Sequence, residues 1–125
     1  MNHKYLLDLF HGDENKMKEH IHFFTCNSDE EYGFDVRETW ALDYAFYIWL
    51  YERLMCFSEV NNIDLSYHTI KFDGETLTQQ QCIDRMIKGC KIAILKDEDK
   101  YTDSDKKTVK DVVEIWAKVL PYMWW

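Results

Sequence analysis

From Val36 to Phe57 the chain contains neither Gly nor Pro, and no other feature constrains the fold as much. Asp35 can accept from the free N–H groups of a first helical turn while Glu38, three residues on, reaches back to the cap, an Asp variant of the capping box. About 21 helical residues at 1.5 Å rise would run roughly 32 Å, the width of a small domain. Trp40, Ala41, Leu42 and the stretch from Tyr44 to Tyr51 make this helix apolar nearly all round, which in water requires packing on several sides. The expectation is therefore a central helix at 36–57 with the rest of the chain folded about it.

The remaining segments suit that scheme. At 125 residues the chain has the size of one domain, and 46% hydrophobic residues with only 4 Gly and 1 Pro exclude collagen-like, linker-like and disordered classes. Gly12, Gly33, Gly74 and Gly89 stand too far apart for any glycine-rich phosphate loop. Tyr5–Phe10, ended by Gly12, reads as a short helix. In 15–25, Met17, His20, Ile21 and Phe24 share one face of a second. Residues 1–32 form an acidic N-terminal extension. Asp73-Gly74 between Ile70-Lys71-Phe72 and Glu75-Thr76-Leu77 marks a minor hairpin near 68–77, with a packed loop as the alternative. Thr78 and Gln81 form a capping box for a core helix at 79–95 carrying Cys82, Ile83, Met86, Ile87 and Cys90. A charged connector leads to a last helix at 104–120 whose inner stripe is Val109, Val112, Val113, Trp116, Val119 and Leu120, ended by Pro121. The fold class is all-α, or mostly α, in one helical domain.

Charge narrows the partners. Residues 1–65 carry 13 acidic and 5 basic side chains, whereas 66–125 carry 10 of each, so the whole excess of −8 lies in the first half. Such a field disfavours direct contact with nucleic acid or anionic lipid and favours basic protein partners; the plainer alternative is that it only keeps the chain soluble. The longest apolar run, Tyr44–Tyr51, is 8 residues long and cannot span a bilayer. Three of the four cysteines sit among apolar residues without a CxxC, and the first residues show no secretory h-region, which points to reduced thiols in a cytoplasm.

Catalytic and metal chemistry find little support in the pattern. His11, Glu19, His20 and His22, with Cys26 beyond, are close in sequence, but His20 and His22 would point about 200° apart on a helix, unlike the i, i+4 pair of a zinc site. No metal or other cofactor is expected. Asp43, set in the apolar wall of the long helix, is the one carboxylate whose pKa burial would raise, with a structural bond to a tyrosine hydroxyl, Arg37 or Arg53 as the competing role. No nucleophile stands in frame with a base. Tyr67-His68-Thr69-Ile70-Lys71-Phe72 interleaves aromatic and basic residues, yet one Lys does not offset the net charge. Asp29, Glu30, Glu31 and Asp35 could instead present carboxylates to a basic groove, since Arg and Lys accept carboxylate much as they accept phosphate. Trp124 and Trp125 must pack, either back over the long helix or as anchors for a partner or a second copy.

Gly33-Phe34-Asp35-Val36-Arg37-Glu38-Thr39-Trp40-Ala41-Leu42-Asp43, continuing through Trp49-Leu50-Tyr51-Glu52-Arg53-Leu54, resembles a group of small bacteriophage-encoded proteins that share a GF-D-x-R-x-TW-x-LD pattern before a long helix. Ile83–Cys90 and the ending from Trp116 to Trp125 are similar to that group's later helix and aromatic terminus. The acidic extension and the connector from Lys96 to Asp105 depart from it. The resemblance implies phage origin and action in the host-cell cytoplasm, and it carries over no catalytic residues. The resulting expectation is a non-catalytic accessory protein that binds a host or phage macromolecule, of the anti-CRISPR or nucleic-acid-mimic type. A phage assembly factor is the alternative, and an enzyme using Asp43 or the His11, His20 and His22 group is a further one.

Overall fold

The computed structural model describes residues 3–21, 33–60 and 64–123. The fold is mostly α: α1 (Lys4–Leu9), α2 (Glu14–His20), α3 (Leu42–Val60), a hairpin of β1 (Thr69–Phe72) and β2 (Glu75–Thr78), α4 (Gln79–Leu95) and α5 (Asp103–Val119). Its residues group into two units, Met1–Glu52 and Arg53–Trp125, with the boundary inside α3.

In the first unit α1 ends where expected. Gly12 takes a positive φ of 79° and its N–H donates to the Leu7 carbonyl at 2.8 Å, a left-handed stop that only glycine adopts freely. Asp13 caps α2 by accepting from the Lys16 N–H. Leu6, Met17 and Ile21 are buried, but His20, expected on the same inner face, is exposed, and Phe24 lies outside the described residues. The long helix begins later than predicted. Val36–Ala41 is a 3-10 segment, and the Asp35 carboxylate accepts from the Arg37 N–H at 3.0 Å and pairs with its guanidinium at 2.9 Å. With Asp35 occupied two residues on, the α-helical start moves to Leu42; at the other end the helix runs past Phe57 to Val60.

The second unit follows its local signals closely. Asp73 and Gly74 both have positive φ, as a two-residue primed turn requires, and the antiparallel register pairs Ile70 with Leu77 and Phe72 with Glu75. Phe72 and Leu77 are buried. The Lys118 Nζ donates to the Lys71 carbonyl at 2.9 Å, Lys107 bonds Asp73 at 2.9 Å, and both ammonium groups lie over the Phe72 ring, so α5 straps the hairpin. Both capping boxes are complete, Thr78 with Gln81 and Thr102 with Asp105. Helices α4 and α5 pack so closely at Gly89 that a Cβ there would stand 2.2 Å from Val112 Cγ2 and 2.7 Å from the Thr108 carbonyl oxygen. The inner stripe of α5 is Val112, Ile115 and Val119, whereas Val113 and Leu120, expected inside, are each 48% exposed. Pro121 sits in a 3-10 turn over Leu120–Tyr122 that closes the helix.

Candidate functional site

Asp35 is the one member of the predicted acidic surface within the described residues; Asp29, Glu30 and Glu31 lie outside them, as do His22, Cys26, Trp124 and Trp125. Its carboxyl is held below the ordinary Asp value, first by the hydrogen bonds from the Arg37 side chain. That carboxylate is already matched to a guanidinium, so it offers a partner less charge than the sequence suggests.

Of the enzyme-like candidates, Asp43, His11, Glu19 and His20 lie within the described residues. Asp43 is exposed on α3, not walled in by apolar side chains, because Trp40 and Leu42 beside it are exposed too. His11 is exposed in the turn after α1 with a positive φ of 57°. The His20 ring lies between Phe10, at 5.3 Å, and Tyr44, at 6.4 Å, in an aromatic row beside a shallow depression lined by Phe10, Lys16, Glu19 and His20. Among the described residues no group of three or more His, Cys, Asp or Glu is arranged to hold a metal ion. Cys82 and Cys90 are buried on α4, and burial pushes the Cys90 thiol up to about 12, where thiolate is scarce at neutral pH. Cys56 is exposed. Among the described residues no helix is long and apolar enough to cross a membrane.

What stands out instead is apolar surface at the entrance to α3. Trp40 is 76% exposed and Leu42 67%, with Phe34 and Val36 before them and Trp49 two helical turns on. Glu38 and Asp43 stand among these residues in the sequence. The Phe46 and Trp49 rings stack 6.4 Å apart at 19° between planes. Sequence reasoning assigned Trp40 and Leu42 to the core. A helix that is apolar all round gives periodicity nothing with which to tell a covered side from an open one.

Against family models, curated proteins and solved structures the chain finds no match.

Proposed function

We propose that the chain is a non-catalytic accessory protein, of the phage-encoded kind it resembles, that acts in the host-cell cytoplasm. It binds a protein partner through an acidic, aromatic surface and so inhibits a nucleic-acid-handling defence complex. The observation that carries the binding role is the exposure of Trp40, 76%, in a unit that holds 11 acidic and 4 basic side chains. Tryptophan is the residue type most enriched among side chains that dominate binding energy, and a large exposed apolar patch rimmed by charge is the usual mark of an interaction site. The charge supports a partner with a basic groove, where carboxylates replace phosphates; it supports neither direct nucleic-acid contact nor attachment to an anionic membrane.

Affinity capture from phage-infected host lysate, with the wild-type chain and Trp40→Ala side by side at low and high salt, tests this reading. The expected result is a basic, nucleic-acid-handling protein that the wild type retains at low salt and loses at high salt, and that Trp40→Ala retains at least about tenfold less well. Equal capture by both chains at both salt concentrations overturns it.

A further inference from the structure

We infer that Trp40 and Asp43 form a seat for an arginine side chain of the partner protein, with the guanidinium over the indole and donating to the carboxylate; this rests on the binding role proposed above and names the group it recognises. Both residues lie in Met1–Glu52. In a 3-10 segment residues three apart are eclipsed, so Arg37 and Trp40 share one side of Val36–Ala41, and Asp43, three residues beyond Trp40 in the first turn of α3, continues that side. The charges along it differ in what already holds them. The Arg37 guanidinium is bound by the Asp35 carboxylate, Nη2 to Oδ2 at 2.9 Å and Nε to Oδ1 at 3.2 Å, which leaves Asp43 as the carboxylate of this side with no cation matched to it. Asp43 is exposed and Trp40 is 76% exposed, and among the described residues neither side chain has a hydrogen-bonding, ionic or ring partner.

An open indole one turn from an unmatched carboxylate selects among cations. A guanidinium is flat and weakly hydrated, so it stacks on a ring while its N–H groups, lying in its own plane, still reach a carboxylate at the ring's edge. An ammonium is a strongly hydrated point charge and has no face to stack. A nucleic-acid base could stack on Trp40 too, but it would bring its phosphate against Asp43. A second copy would offer Arg37 from the same segment, and that guanidinium is already held by Asp35. Val36 and Leu42, 41% and 67% exposed, follow the adjoining side of the segment at the same spacing of three, so an apolar residue beside the partner's arginine has a surface to rest on.

The probes are the blocked peptide acetyl-Gly-Arg-Leu-Gly-amide and its counterparts with lysine or with citrulline, the uncharged isostere, in place of arginine. Each is titrated into the full chain and read from the backbone amide NMR shifts of residues 36–43. The arginine peptide is expected to move these signals and to bind about threefold or more tightly than either counterpart. Asp43→Asn and Trp40→Ala are each expected to weaken it by about threefold or more, while Glu114→Gln, the charge control on α5, changes it by less than about twofold. Asp43→Asn should leave the citrulline peptide almost unaffected, which ties the loss to the guanidinium charge. Equal binding of the three peptides, or an Asp43→Asn chain that binds the arginine peptide like the wild type, overturns the proposal. So does self-association in sedimentation that Trp40→Ala abolishes, because a second copy would then cover the indole. Should Asp43→Asn lose its helical circular dichroism, the ranking of the three peptides on the wild-type chain decides. In lysate capture, loss of the partner with Trp40→Ala but not with Asp43→Asn leaves the binding role standing and removes the arginine seat; loss with neither removes both.

Discussion

Met1–Glu52 carries 11 acidic and 4 basic side chains, Arg53–Trp125 carries 12 and 11, and the two differ as much in how their helices begin. Both full helices of the second unit start on reciprocal capping boxes, and their apolar stripes are buried along their length. In the first unit α1 starts at His3 with no side-chain cap, and the segment leading into α3 turns as 3-10 on a one-sided cap. Along that segment Phe34, Val36, Trp40 and Leu42 remain on the surface. Where caps, turns and periodicity agree, a sequence specifies a buried stripe; where they disagree, the exception is a place to look for function.

That contrast can be broken most severely at Ile115. Its side chain is fully buried in the second unit, and Ile115→Ala is expected to cost about 3 kcal/mol in urea unfolding. A cost below about 1 kcal/mol would mean that α5 does not carry the core. Gly89→Ala comes next, with an expected loss of about 2 kcal/mol: the strain of pushing Val112 and Thr108 away exceeds the roughly 1 kcal/mol that Ala gains over Gly in a helix. A higher melting temperature for this variant would show that the close approach yields cheaply. Thr102→Ala, which removes half of a complete box, should cost about 1 kcal/mol by the same measurement.

Acid sharpens the comparison differently. Lys96 and Thr102 hold the Asp105 carboxyl below its ordinary value, and Lys107 does the same for Asp73. A depressed folded-state pKa stabilises the fold above the ordinary Asp value near 4 and is lost as pH falls through the lower folded value. Melting temperature should therefore decline below about pH 4, and Asp105→Asn should flatten that decline. An unaltered acid limb would sink this assignment. The smallest effect is expected at Trp40. Although tryptophan is the largest side chain, Trp40→Ala should change stability by no more than about 0.5 kcal/mol, because so little of it is covered. A loss comparable to that of Ile115→Ala would return it to the core.

Much of the second unit was legible because its signals are local. Asp73-Gly74 admits the positive φ of a tight hairpin, and Thr78 with Gln81 marks the first turn of α4. The register of α5 was less so. Val109, Val113, Trp116 and Leu120 form a stripe as regular as Thr108, Val112, Ile115 and Val119, and only the shape of α4 at Gly89 selects the second. Asp35 and Glu38 had the spacing of a box, but Arg37 competes for the carboxylate at shorter range than a spacing rule can register. Asp43 was misplaced with Trp40 and Leu42, since all three inherited one assumption about which side of the helix is covered.

Gln79 joins three distant stretches of the second unit: its backbone N–H donates to the His68 carbonyl at 3.0 Å and its buried side-chain amide donates to the Tyr122 carbonyl at 3.1 Å. His68 and Tyr122 stack above it, 5.4 Å between rings. Kinetically this is a closing contact. The hairpin is built from near neighbours in sequence and the closest α4–α5 approach, Gly89 against Val112, is also nearer in sequence than the bond to Tyr122, which spans 43 residues and exists only when both helices are complete and aligned. Loss of that amide should therefore quicken unfolding and leave the folding rate almost unchanged, so that Gln79 governs how long the unit stays shut more than how fast it assembles.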